Sequence, residues 1–331
     1  MATDSKIMAR ALARYRRDVE RRRERQQAQA ETILRTVPRA AEIQQELRGT
    51  VGQIVAAAFR RGADPTSAIQ ALKERNLSLQ RERAEVLVAN GFPFDALDDK
   101  PGCPRCGDTG FTEDGPCRCL MAYYTREQNK ELSKLLDLGS QSFDTFSFQW
   151  YSTAVDPKEK VSPRENMELI YELCANYAHS FGSKSPNLLM SGPPGLGKTF
   201  LSACIAREVS GAGFSVVYDT ASHVFAQFES GKFGRDNPFD DDANSDINRY
   251  LNCDLLIMDD LGSEMTTAFV VSALYQIINT RLITGRQTIL STNLTPSEIG
   301  KRYSAAILSR VEGEYQILTF FGEDIRKQRQ R

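Results

Sequence analysis

The rhythm of hydrophobic and polar positions changes along the chain. Residues 5–90 are rich in Ala, Arg, Glu, Gln and Leu, with Pro38 and Pro65 as their only prolines, a pattern that predicts mostly helix. Breaks are expected at Val37-Pro38, from Arg61-Gly62 to Asp64-Pro65, and at Asn90-Gly91. Asp64 or Thr66 is the expected cap of a helix running through Ile69, Leu72, Leu77 and Leu79. A Gly/Pro/Cys-rich stretch over 101–119 precedes a predicted helix from Met121 to Leu138, and the polar segment Ser152–Pro163 reads as a connection. From about 166 onward, helices alternate with short apolar strands at Asn187–Ser191, Ser215–Tyr218, Leu255–Met258 and Thr288–Ser291. That alternation predicts an α/β domain built on a parallel sheet with crossover helices.

Composition narrows the class. The 331 residues are 41% hydrophobic and 26% charged, as in globular proteins, and suggest about two domains. Forty-two Lys+Arg against 43 Asp+Glu exclude a uniformly basic nucleic-acid coat. The balance hides an asymmetry: Met1–Ala40 holds eleven bases and five acids, whereas Asp236–Glu264 holds nine acids and one base. The run Arg21–Arg25 fits a solvated helix face, with phosphate contact as the sharper alternative. No apolar run approaches the roughly 18–20 residues of a membrane span, and nothing at the start resembles a secretory signal. Asp4, Asp18, Glu20 and Glu24 argue against a transit peptide.

Seven cysteines are too few for a disulfide scaffold, and four of them crowd into one short stretch. This pattern points to reduced thiols and a cytoplasmic location. Cys103 and Cys106 bracket a tight turn ending in Gly107, and Cys117 and Cys119 follow after a short hairpin through Gly110 and Gly115. Four thiolates suit a tetrahedral Zn²⁺ that leaves no open position, so the expected role is structural; a redox pair or an iron–sulfur cluster is the alternative.

The densest chemistry lies further on. Gly192-Pro193-Pro194-Gly195-Leu196-Gly197-Lys198-Thr199 matches G-x-x-x-x-G-K-[ST], between a predicted strand and the helical run Phe200–Val209. Backbone N–H groups of such a loop curve around phosphates, Lys198 reaches the β/γ-phosphates, and the Thr199 hydroxyl ligates Mg²⁺. Some 60 residues later an apolar strand ends in Asp259-Asp260. Asp259 is assigned to the metal and Asp260 to water activation, with Glu264 as a rival for the second role. Asn293, at the tip of the next strand, is placed to orient the attacking water. Arg310 and Arg326 could meet the charge of a transferring phosphoryl group; on spacing alone, structural ion pairs fit equally well.

Taken together, these motifs resemble the AAA+ ATPases, and within them the bacterial DnaC/DnaI-type replicative helicase loaders. The resemblance runs from Ser142-Phe143-Asp144-Thr145-Phe146 through Gly192–Leu201, Leu255–Glu264 and Ser291–Leu294 to Arg302–Arg310 and Phe320–Arg326. It implies an ATP- and Mg²⁺-dependent ATPase with Asp259-Asp260 as Walker B, Asn293 as sensor 1, Arg310 as arginine finger (Arg302 as fallback) and Arg326 as sensor 2. It also implies zinc in the cysteine module, a hexameric replicative helicase as partner, single-stranded DNA, self-association through the AAA+ domain and contact with a replication initiator. The implied layout is a helical helicase-interaction region over 1–100, the zinc module and following helix over 101–135, a linker over 136–165 and the ATPase domain over 166–331. An IstB-type transposition helper, partnered by a transposase, is the alternative. Candidate DNA contacts are Phe225, Phe228, Lys232, Phe233 and Arg235, unless that helix merely turns a hydrophobic underside inward. The acidic stretch Phe233–Asp246 falls where a partner-facing element is expected.

Overall fold

In the computed structural model, residues 4–58, 66–134, 136, 140–233 and 241–328 are described, with 51–58, 66–69, 231–233 and 241–246 as backbone only. The chain divides into two compact units: Ala13–Cys117, and Met1–Leu12 with Arg118–Arg331. The expected cap at Asp64 or Thr66 and the acidic stretch after Phe233 lie outside the described residues or side chains.

Helix α1 (Ser5–Thr36) stops where expected, and Pro38 opens α2 (Pro38–Ala58). Proline at a first helical position lacks only an N–H that has no partner there anyway. Within the first unit, α2 packs along α3 (Thr66–Ala89). Ile33, Val37, Ala40 and Leu87 form its small core. Arg39 of α2 ties the pair at the surface through Glu82 of α3. Gly91, at φ 82°, ends α3 in the left-handed region, in agreement with the expected break. Strands β1 (Phe111–Thr112) and β2 (Gly115–Pro116) make the anticipated antiparallel hairpin.

In the second unit, α4 occupies Arg118–Leu132 rather than Met121–Leu138. It starts directly at the last cysteine pair, and it is docked by the buried Gln128, which donates to the Phe214 carbonyl and accepts from the Val216 N–H. The first turns of α1 lie in the same unit, with Ile7 and Ala11 packed on Tyr124. Helix α5 (Pro163–His179) begins with a capping box: the Ser162 hydroxyl accepts from the Glu165 N–H while the Glu165 carboxylate returns to the Ser162 N–H.

The sheet comprises β3 (Asn187–Ser191), β4 (Val216–Thr220), β5 (Leu255–Leu261), β6 (Gln287–Thr292) and β7 (Tyr315–Thr319), in the order β4-β5-β6-β3-β7 with every pairing parallel. Strand β7 was not expected from the sequence; Tyr-Gln-Ile-Leu-Thr is β-prone, but two of its five positions, Tyr315 and Leu318, are the only buried ones. Successive residues of each inner strand enter opposite cores. Leu188, Met190, Leu255 and Ile257 face α5 and α6 (Lys198–Gly211), whereas Leu189, Leu256 and Met258 face α7 (Ala221–Phe233), α9 (Ala268–Ile283) and α11 (Ala305–Glu314). Helix α8 (Asp241–Asn252) follows α7, and α10 (Pro296–Arg302) and α12 (Ile325–Gln328) complete the chain. Phe225 and Phe228 belong to the second core, 4% and 5% exposed, so they are not available to stack on bases. No helix among the described residues is long and apolar enough to cross a membrane.

One buried cation sits in this packing. Arg281 of α9 is fully buried and donates to Thr288 Oγ1 (2.9 Å) and to the carbonyls of Tyr250 (2.7 Å), Cys253 (3.1 Å) and Gln287 (2.5 Å). It thereby closes the end of α8 onto the start of β6. Replacing Arg281 with Met keeps the bulk and strands these acceptors, at a cost of about 3 kcal/mol or more. A urea unfolding midpoint lowered accordingly, without a change in slope, checks this.

Candidate nucleotide site

The loop 192–197 follows β3 at the carboxyl edge of the sheet, where open α/β sheets bind ligands. Two of its glycines adopt positive φ where a neighbour presses close. Gly192 has φ 148°, and a Cβ there would lie 2.1 Å from the Phe320 carbonyl; Gly195 has φ 78°, and its Cβ would lie 1.8 Å from the Asp324 carboxylate. The segment after β7 is thus pressed against the loop, with the Ile325 N–H donating to the Gly195 carbonyl (3.0 Å). From the other side, the Tyr151 hydroxyl donates to the Leu196 carbonyl (3.1 Å).

Lys198 and Thr199 open α6. Lys198 is 9% exposed, and its ammonium donates to the carbonyls of Gly192 (2.5 Å) and Pro193 (2.8 Å). Burial pushes its pKa below the usual lysine value, Asp259 and Asp260 oppose that shift, and Arg326 adds to it. Asp259 of β5 is buried and accepts from Thr199 Oγ1 (2.9 Å), the Tyr218 hydroxyl (2.6 Å) and the Asp260 N–H (2.9 Å). Asp260 is exposed, with φ 57°, in the left-handed region. A carboxylate beside a P-loop hydroxyl is the donor set that holds Mg²⁺ on a nucleoside triphosphate. Tyr218 escaped the sequence analysis; its position at the tip of an apolar strand was the only available signal.

Asp259, Asp260, Asn293, Lys198, Thr199 and Arg326 line one cleft of about 590 Å³. The remaining wall mixes aromatic and polar side chains, with Phe146, Trp150 and Tyr151 from the segment before α5, Phe200 from α6 and Ile325 from α12. The loop also contributes Pro194, Gly195 and Gly197.

Three candidates stand elsewhere. Glu264 is buried in the turn after β5, where it accepts from the Gly262 N–H (3.0 Å) and the Tyr303 hydroxyl. Arg302 donates to the Glu264 carbonyl (2.5 Å) and so braces the same turn. Arg310 of α11 lies over the Tyr275 ring, 4.5 Å from its centroid, and donates to Asn279 Oδ1 and the Tyr275 hydroxyl. None of the three lines the cleft.

The four cysteines converge as the spacing anticipates. The Sγ atoms of Cys103, Cys106, Cys117 and Cys119 all lie within 4.8 Å of one another, with Cys103 to Cys117 at 3.8 Å. Tetrahedral Zn²⁺ with Zn–S bonds near 2.3 Å separates its sulfurs by roughly 3.8 Å, so the cluster could hold zinc. Asp108, which the sequence analysis did not single out, organises the turn. With φ 63°, it accepts from the N–H groups of Gly102 and Cys103 (2.9 Å each) and pairs with Arg22 (3.0 Å). Burial works against its charge, but these donors prevail and hold the carboxyl below the usual range. Of the run Arg21–Arg25, Arg22 is therefore a structural ion pair.

The parallel sheet, the loop after β3 and the acids at the tip of β5, one strand removed from β3, define a P-loop nucleotide-binding domain. Residues 166–331, half of the chain, match the IstB-like ATP binding proteins, and the chain belongs to that family. It is 26% identical over 152 residues to the replicative helicase loader DnaC of Buchnera aphidicola, a match that takes in 46% of this chain and 61% of the loader. An ATP-binding protein in insertion sequence from Mycobacterium tuberculosis is 28% identical over 217 residues, 66% of this chain and 79% of that protein. The chain spans about three fifths of the length of the curated loaders it matches. The crystal structure of the DnaC helicase loader is a structural neighbour at 17% identity and TM-score 0.45, covering 56% of this chain and 99% of that one.

The lowered lysine pKa has a measurable consequence. Phosphate binding requires the charged ammonium, so affinity for ATP falls as pH rises, beginning below the 10.5 of an ordinary lysine. Trp150, the only tryptophan in the chain, lines the cleft and reports binding by its fluorescence. Lys198→Arg, charged throughout the range, is expected to flatten that pH dependence, and Lys198→Ala to weaken binding at least tenfold at pH 7.

Proposed function

We propose that the chain is an ATP-hydrolysing loader that binds the hexameric replicative DNA helicase and deposits it on single-stranded DNA during replication initiation, with hydrolysis releasing the helicase. The observation that carries the ATPase part is the convergence of Lys198, Thr199, Asp259, Asp260, Asn293 and Arg326 on one cleft. In this reading Asp259 and Thr199 hold Mg²⁺, which neutralises charge on the phosphates. Asp260, exposed at the strand tip, accepts the proton of the attacking water, and Asn293 orients that water. Glu264, tied up by Tyr303 and Gly262, is left with a structural role. Arg326 senses the γ-phosphate within the chain. Arg310, outside its own chain's cleft, completes the site of a neighbouring subunit, so that ATP assembles loaders and hydrolysis loosens them.

The loader identity rests on the likeness to the DnaC proteins together with the helical region and cysteine cluster preceding the ATPase domain. Zinc in that cluster supplies folding energy to a segment with little core of its own, on the order of 10–16 kcal/mol. Residues 1–100 provide the helicase grip, a replication initiator is a further partner, and the location is the cytoplasm. A second reading, a transposition helper acting with a transposase, is favoured by the family match and by the longer alignment to the insertion-sequence protein.

Native mass spectrometry of the full chain with the replicative helicase of its host, with and without ATP, tests the choice. A defined complex with at most one loader per helicase subunit is expected; no complex in either condition, with zinc content and folding verified, transfers the role to a transposase partner. Arg310→Ala is expected to cut DNA-stimulated hydrolysis at least a hundredfold and leave Trp150-reported ATP binding within about twofold, against the 10³–10⁵ that a finger arginine can supply. A comparable loss of binding would count against a role in trans.

A further inference from the structure

Four thiolates fill the coordination of a zinc ion, but they leave the helix laid against them without a role. Tyr15, Val19, Arg22 and Gln26 recur at i, i+4, i+7 and i+11, so they lie along one face of α1, and Tyr15 and Val19 are buried. That face meets the loop that carries the first cysteine pair. The Gln26 amide donates to the Lys100 carbonyl (3.1 Å), Arg22 pairs with Asp108 (3.0 Å), and the Tyr15 hydroxyl lies 3.8 Å from Cys106 Sγ. A zinc-bound thiolate has no proton to give, so in a loaded site Tyr15 is the donor of that contact.

Arg22 and Asp108 are the centre of the contact. The Asp108 side chain is 3% exposed and accepts from the N–H groups of Gly102 and Cys103 (2.9 Å each), which closes the turn around the first cysteine. A carboxylate so buried is costly unless its charge is met, and the Arg22 guanidinium meets it. A Cβ on Gly102 would lie 2.2 Å from the guanidinium carbon of Arg22. The guanidinium therefore rests directly on the backbone that leads into Cys103. Arg22 reaches the first cysteine of the cluster through one carboxylate.

We propose that Arg22 and Asp108 are positioning residues of the metal site: Arg22, acting through Asp108, holds the Cys103 turn in its zinc-binding shape, and zinc in return fastens α1 to the cysteine module. The proposal rests on the reading of the four cysteines as a zinc site. Groups that hold metal ligands in place without touching the metal contribute about 10- to 100-fold in metal affinity. The coupling is reciprocal by thermodynamic necessity. If docked α1 raises zinc affinity by some factor, zinc favours docked α1 by the same factor. Metal occupancy then sets how firmly residues 15–26 of α1 are held.

The test uses the full-length chain, with zinc affinity read by competition against a chromogenic chelator. Arg22→Met, which keeps the aliphatic stem and removes the charge, and Asp108→Asn are each expected to weaken zinc about 10- to 100-fold. The double variant should lose no more than about twofold beyond Asp108→Asn alone, because Arg22 works through that carboxylate. Arg22→Lys restores a charge without the planar contact on Gly102, and its affinity should fall between the wild type and Arg22→Met. Cobalt(II) bound by Arg22→Met is expected to keep the wild-type thiolate-to-metal charge-transfer intensity; a weaker band places the loss in a ligand and overturns the proposal. Removing zinc from the wild type should speed amide exchange over residues 15–26 at least tenfold while residues 79–87 of α3 stay within twofold, and Arg22→Met should shrink that difference. Zinc affinity of Arg22→Met within twofold of the wild type overturns the proposal and leaves the zinc site standing, as does a double variant whose losses multiply. Exchange over residues 15–26 that ignores zinc overturns it as well. No zinc bound by the wild type, with folding verified, overturns the reading of the cysteines and the proposal with it.

Discussion

A single carboxylate organises the site. Asp259 ends the apolar part of β5, and its oxygens accept from the helix that follows the phosphate loop (Thr199), from the neighbouring strand (Tyr218) and from its own turn (Asp260 N–H). An anion at 7% exposure is costly unless donors replace its water, and here three do. The pairing of β5 with β6 is interrupted between Met258 and Leu261, at this pair of acids, and Asp260 turns outward into the cleft at φ 57°. One acid is thus held inward by hydrogen bonds while the next faces solvent, and two adjacent identical residues acquire different chemistry from local geometry alone.

The phosphate loop is gripped from both ends of the nucleotide-binding domain. Residues before α5 reach it through Tyr151, and residues after β7 reach it through Phe320, Asp324 and Ile325. The clamp after β7 closes on Gly192, where a Cβ would meet the Phe320 backbone, so loop geometry and strand order are one constraint rather than two. Arg326 follows Ile325 directly, and its approach to the cleft is set by the same backbone hydrogen bond. Any change that loosens β7 from β3 therefore disturbs the loop and Arg326 together.

The parts of this arrangement that were legible in the sequence are those carried by local pattern. The glycine spacing, the apolar runs around Leu189 and Ile257 and the cysteine pairs each announce an element or a site over fewer than twenty residues. Strand β7 was missed because an edge strand with two buried positions lacks the apolar run that marks an inner one. Tyr218 and Asp108 were missed for another reason: each acts through a partner remote in sequence, and their residue types carry no motif. Phe225 and Phe228 were legible only as ambiguous, since aromatic residues on a helix serve a core and a binding face equally well. The two-sided sheet resolves them, because α7 has strand Met258 and Leu256 beneath it.

The two arginines illustrate how far geometry extends the sequence pattern. Arg326 lines the cleft of its own chain, and Arg310 does not. Arg310 is held by a ring face, a tyrosine hydroxyl and an amide oxygen, all neutral. Compare Arg286, whose guanidinium is paired with Asp254 at 2.7 Å. A carboxylate neutralises a guanidinium, whereas neutral acceptors orient it and leave its charge to act on something else. Under the proposed function that something is the triphosphate of an adjoining subunit. The ring and the amide then serve to aim a charge across an interface, and a carboxylate in place of Asn279 would abolish that use while leaving the fold and the cleft of the same chain untouched.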